Sequence, residues 1–145
     1  MELKSTGTYI GYRLSKESTI DIRNYCKTNS IPMIGTSKDR RLHVTVIYST
    51  TLFAPSLSKE SFFGEPKRFS LFGKKKDDRI LVLEIRCPEI VARHKFLNKT
   101  FKLIDDQPYR PHVTLTHVLP NEIILKSLPI FNKIITLEKE YTEIL

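Results

Sequence analysis

The spacing of apolar residues changes several times along the chain, and each change marks an element. "TYIGYRL" (8–14) is apolar and β-prone and predicts a first strand. Ser15 then offers an N-cap, and Ile22, Tyr25 and Cys26 share one face of a helix running to about Asn29. Pro32 and Gly35 punctuate a loop over 30–39, and residues 42–48 form a second strand. The stretch 49–66, broken by Pro55, Gly64 and Pro66, reads as irregular. "KRFSLFG" and "RILVLEIRC" flank "KKKDD", the pattern of a β-hairpin with a charged turn. Pro88 opens a second helix, whose stripe Ile90, His94, Leu97, Phe101, Ile104 advances at helical spacing. A loop over 105–111 leads to a strand from His112. A short helix between Pro120 and Pro129 follows, and a long alternating strand over 130–144 closes the chain.

The order is strand, helix, strand, hairpin, helix, strand, strand, and the short connections make most pairings antiparallel. That predicts the α+β class. At 145 residues, with no linker or low-complexity segment, residues 1–145 form one domain. The apolar runs, such as "ILVLEI", are far shorter than the roughly 20 residues of a membrane span. The start "MELKSTG" lacks the apolar centre of a signal peptide, so a cytoplasmic location is expected. Cys26 and Cys87 make neither a disulfide framework nor a zinc set and read as buried thiols. The net charge of +8 favours polyanionic partners, because neutralised phosphates release counterions.

The chemistry lies in a repetition. A chain with only four histidines writes His-Val-Thr twice, in "RRLHVTVIYS" (41–50) and in "YRPHVTLTHV" (109–118), each time after a helix. Side chains alternate along a strand, so His43 and Thr45 share a face, and so do His112, Thr114 and Thr116. Two such strands side by side would gather two imidazoles and two or three hydroxyls around a small volume. Cleaving a phosphodiester takes a base for the attacking oxygen and an acid for the leaving one. Histidine, with a pKa of about 6.5, does either near neutral pH. Threonine hydroxyls can donate to phosphate oxygens as charge builds on them. His43 and His112 have no carboxylate or thiol neighbours at ligand spacing, so no metal site and no cofactor is expected.

"LHVTVIYS" and "PHVTLTHV" resemble the two signature strands of the two-histidine (2H) phosphoesterase superfamily. The resemblance implies a two-lobed, pseudo-symmetric α+β fold with the motifs facing each other across a central cleft. It also implies metal-independent chemistry at nucleotide phosphodiesters, with His43, Thr45, His112 and Thr114 as catalytic residues. The short length and the opening "GTYIGYRL" are most similar to phage anti-CBASS nucleases, which degrade the cyclic oligonucleotides that signal a bacterial defence. That likeness implies a cyclic di- or trinucleotide substrate, no obligate protein partner, and ligand contacts from Tyr12 and Glu140. An aromatic near the C-terminus of some members has no tryptophan counterpart here.

From parity alone, Ile10, Tyr12 and Leu14 share one face, so Tyr12 either stacks on a base or packs in the core. Glu138 and Glu140 share a parity on the last strand. Arg41 and Arg110, just before the motif strands, suit either phosphate contact or solvent. His94 and His117 read as packing or surface residues. Two other functions remain open: a 2′,3′-cyclic phosphodiesterase or ligase for RNA ends, and a module that binds nucleotides without cleaving them.

Overall fold

The computed structural model describes residues 7–36, 40–73, 78–103, 107–117 and 125–145. They form six strands, β1 (Thr8–Leu14), β2 (His43–Ser49), β3 (Phe62–Phe72), β4 (Ile80–Arg86), β5 (His112–Thr116) and β6 (Ile135–Ile144). Two helices, α1 (Lys16–Thr28) and α2 (Pro88–Phe101), complete an α+β architecture. The strands pair in the closed order β1-β2-β5-β4-β3-β6, every pairing antiparallel.

The helices begin where local chemistry starts them. Ser15 holds an extended backbone, and its hydroxyl accepts from the Ser18 N–H at 3.1 Å, capping α1. Pro88 occupies the first turn of α2, where a missing N–H costs nothing, and Lys102 closes the helix in the left-handed conformation. The expected end at Ile104 falls outside the described residues. Ile22 and Cys26 of α1 and Ile90 and Leu97 of α2 join Ile10, Leu14, Val44, Leu83, Val113 and Leu137 from the strands in one core. Burial pushes the Cys26 thiol up to about 12, which keeps it protonated.

The structure departs from the pattern reading in two places. The last five residues of the stretch read as irregular belong to β3, where Phe62, Phe63 and Gly64 pair with Leu137, Thr136 and Ile135 of β6. The strand then changes partner to β4 with a register shift at Pro66/Arg68. Proline cannot serve a regular ladder, so Pro66 is accommodated at that irregularity. The final strand begins at Ile135, not 130, and the expected helix before it is described only as a 3₁₀ turn at Leu125–Ser127. Residues 74–77, most of the charged hairpin turn, and 120–124 lie outside the described residues.

Two bulges change which side chains face inward. Between Ile10 and Gly11 the β1–β2 register shifts, so Val46 and Ile47 are both buried. Between Arg13 and Leu14 the β1–β6 register shifts past Glu138, which reverses the in–out pattern of β6 beyond it. No helix among the described residues is long and apolar enough to cross a membrane.

Candidate active site

The motif strands are neighbours, joined by a single ladder pair, Val44 with Val113. Their antiparallel course sets His43 across from Thr114 and Thr45 across from His112. Val44 and Val113 are fully buried, so the imidazoles and hydroxyls take the opposite face. Both ends of β5 are held by neighbouring segments, β2 at one end and the loop after α1 at the other. The Tyr109 hydroxyl donates to the Thr45 carbonyl at 2.6 Å, and the His117 N–H donates to the Ile34 carbonyl at 2.7 Å.

Two clefts open along this seam. One, of about 560 Å³, is lined by Thr45, Phe72, His94, Asn98, Tyr109 and His112 among others. The other, of about 450 Å³, is lined by Tyr9, Arg13, Arg41, His43, Thr114 and Tyr141 among others. Each cleft therefore holds the histidine of one His-Val-Thr motif and the first threonine of the other, and His94 also lines the first cleft and His117 the second. All four residues singled out by the repeated motif are brought together here.

His112 is held from behind. Its Nδ1 lies 2.8 Å from the Arg110 carbonyl, which can only accept, so Nδ1 carries the proton. In the neutral ring Nε2 is then a lone pair. The edge of His112 meets Phe72 at 4.7 Å, and the Arg110 guanidinium covers the same Phe72 ring at 4.4 Å. Arg110 is anchored in turn by two hydrogen bonds of 2.9 Å to Glu84, the residue paired with His112 across β4–β5. Burial lowers the His112 pKa below the ordinary imidazole value, against the opposing pull of the Arg110 carbonyl and Glu84.

His43 has a different setting. Its ring meets Tyr9 and Tyr141 edge-on, with centroids at 6.1 and 6.4 Å. Dehydration by these walls lowers its pKa, Glu143 opposes this, and the charges of His112 and Arg13 add to the lowering. Arg13 caps the Tyr141 ring at 4.2 Å. The Tyr9 and Thr45 hydroxyls are 2.9 Å apart. Among the described residues, no group of three or more His, Cys, Asp and Glu side chains is placed to hold a metal ion.

Glu84 is almost fully buried and accepts from Arg110, Arg68 and Ser70. Burial alone would raise its pKa, but these hydrogen bonds outweigh burial and hold the carboxyl at about 2, against an ordinary 4.5. The folded pKa is depressed, so its stabilisation is complete above about pH 4.5 and is lost as pH falls towards 2. The full effect is on the order of 3 kcal/mol. Urea midpoints between pH 5 and 2 should fall steeply for the native chain, and Glu84→Gln should lose that part of the slope.

Tyr12 and Glu140, expected to contact ligand, are both buried and line neither of these two clefts. Tyr12 is fully buried against Phe62, and its hydroxyl donates to the Glu60 carbonyl at 2.9 Å. Glu140 is also buried, pairs with Arg93 of α2 at 2.8 Å, and accepts from the Ser58 N–H. Both side chains hold the connection between β2 and β3 to the core side of the ring. Glu138 instead pairs with Arg41 at the surface. His94 contributes more than packing. It stacks on Tyr109 at 4.0 Å, bonds the Val46 carbonyl through Nδ1, and lines the first cleft.

The residues missed by the sequence reading are Tyr9, Arg13, Phe72, Tyr109 and Tyr141. For β1 the signal was present. With Ile10, Tyr12 and Leu14 on the core face, Tyr9 and Arg13 must face the motif side chains. For Tyr141 it was hidden by the bulge at Glu138.

With this geometry the chain compares as follows. A family model described as anti-CBASS protein Acb1 matches residues 6–145. The anti-CBASS protein Acb1 of Vibrio phage KVP40 is 28% identical over 115 residues, covering 79% of this chain and 75% of that protein. Matched over nearly its whole length, the chain belongs to the anti-CBASS protein Acb1 family.

Proposed function

We propose that this protein is a metal-independent phosphodiesterase of the two-histidine type that opens cyclic di- or trinucleotide signals at 3′–5′ linkages. In that role it would serve a phage inside the infected cell by removing the messenger of CBASS defence. The observation that carries the reading is the crossed arrangement of the motifs. His112 with Thr45, and His43 with Thr114, face adjoining clefts along one seam. A phosphate at the seam would have an imidazole on either side and a hydroxyl donor beside each.

In the mechanism, one histidine takes the proton of a ribose 2′-hydroxyl, whose oxygen attacks the adjacent phosphorus. The bond from phosphorus to the 5′-oxygen breaks, and the second histidine protonates that oxygen, leaving a 2′,3′-cyclic phosphate end. We assign the base to His112, because its Nδ1–H is committed to the Arg110 carbonyl and Nε2 offers a lone pair. His43, in the adjoining cleft, is then the acid. Thr45 and Thr114 donate to the non-bridging oxygens as charge accumulates.

Incubation in EDTA with cyclic dinucleotides, a cyclic trinucleotide and an RNA ending in a 2′,3′-cyclic phosphate, resolved by mass, tests this. Linear products from the cyclic compounds are expected. Opening of the RNA end alone would move the function to RNA processing, and intact recovery of a tightly bound ligand would leave a sequestering module.

The pH profile gives a second check. Burial lowers both imidazoles from 6.5, so the base is lost as pH falls and the acid as pH rises, both below 6.5. The kcat/KM optimum should lie on the acid side of 6.5. The kcat optimum should lie higher, because bound phosphate favours the imidazolium forms. A kcat/KM maximum above pH 7 would contradict the pairing.

A further inference from the structure

Thr45 and Tyr9 belong to different clefts, yet their hydroxyls lie 2.9 Å apart across the β1–β2 ladder. Gly11 makes this approach possible. It pairs with Thr45 on one side and Tyr141 on the other, and a Cβ there would lie 2.9 Å from the Tyr9 Cε1 and the Tyr141 Cζ and hydroxyl. The two phenol rings close over the bare backbone, with centroids 5.8 Å apart. The Arg13 guanidinium lies 4.2 Å above the Tyr141 ring and holds it in place over Gly11.

A phenol has one proton to give. Where Tyr9 gives its proton to Thr45 Oγ1, the Thr45 proton is left to point into the first cleft beside His112. Without Tyr9, the Thr45 hydroxyl is free to rotate and to spend its proton on a neighbouring carbonyl. We propose that Tyr9, seated on Gly11 and backed by Tyr141, is a positioning residue that aims the Thr45 hydroxyl at the scissile phosphate. The proposal rests on the phosphodiesterase reading for its catalytic meaning, and on the hydroxyl geometry for its structural content. Tyr9 touches no reacting atom in this scheme. It acts by removing one of the two orientations open to Thr45, and it links the cleft of His43 to the cleft of His112.

The test is a double-mutant cycle on the linearisation of a cyclic dinucleotide, with Tyr9→Phe, Thr45→Val and the pair. Phenylalanine keeps the ring that walls His43 and deletes only the hydroxyl. Tyr9→Phe should lower kcat about 10-fold with KM within twofold, and Thr45→Val about 10²-fold or more. In the Thr45→Val background, Tyr9→Phe should cost no more than about twofold, because nothing remains to aim. A full 10-fold loss in that background, or wild-type kcat for Tyr9→Phe alone, overturns the proposal. A second readout needs no turnover. With tyrosine labelled at Cζ, Thr45→Val should shift the Tyr9 carbon signal, and an unmoved Tyr9 signal also overturns it. Absence of turnover by the native chain would defeat the phosphodiesterase reading alone, since the labelled signal still judges the hydroxyl pair.

Discussion

His43→Ala and His112→Ala should each lower kcat on a cyclic dinucleotide by 10³–10⁴-fold, with KM changed little. Each imidazole moves a proton only in the transition state, so its loss removes stabilisation that the ground state never had. A positioned acid or base contributes about 10²–10⁴-fold, and neither ring lies in the cleft that the other occupies. The double variant should be scarcely slower than either single one, because the two act on one concerted displacement. The assignment of roles can be separated by a substrate whose 5′-bridging oxygen is replaced by sulfur. A thiolate leaves without a proton, so this substrate should restore His43→Ala by 10²-fold or more and leave His112→Ala slow. Rescue of His112→Ala in place of His43→Ala would exchange the roles, and wild-type rates for both variants would end the two-histidine reading.

The second large effect concerns stability. Arg93→Ala should destabilise the fold by about 3–5 kcal/mol, because it leaves the carboxylate of Glu140 buried without its partner. For a chain of this size that corresponds to a Tm lower by roughly 10–16 °C. Arg93 also donates to the Ser56 carbonyl, and Glu140 accepts from the Ser58 N–H, so the connection between β2 and β3 loosens with it. Glu140→Gln should cost less, since a neutral amide needs no counter-charge. Replacing both residues by leucine should recover much of the loss. These measurements also decide whether Glu140 meets substrate. A Glu140→Gln variant with native Tm and a KM raised 10-fold or more would put Glu140 at the ligand, against the ion pair described here.

Much of this site could be read in the chain because its signal is local. His-x-Thr on a strand puts both side chains on one face whatever the rest of the protein does, and the flanking Val44 and Val113 fix which face is buried. The same holds for α1, where Ser15 caps and Ile22 and Cys26 pack, and for α2 from Pro88. Tyr12 and Glu140 were harder for opposite reasons. Parity left Tyr12 undecided between core and cleft, because an aromatic on an apolar face suits both, and only the packed Phe62 and Glu60 settle it. Glu140 shares a parity with Glu138 in the sequence, but the bulge between them separates a surface ion pair from a buried one.

What the sequence determined by itself is the set of elements, the α+β class and the four motif side chains, all consequences of spacing and of residue chemistry over a few positions. What only the tertiary structure decided is which distant strands adjoin and in what register. The pairing of Val44 with Val113 crosses the motifs, so each cleft receives a histidine from one and a threonine from the other. The switch of β3 from β6 to β4 orders a stretch that Gly64 and Pro66 make look irregular. The bulge at Glu138 turns Tyr141 towards His43. Register is a collective property: it minimises exposed apolar surface and unpaired backbone groups over all six strands at once, and no short window of the chain carries that sum.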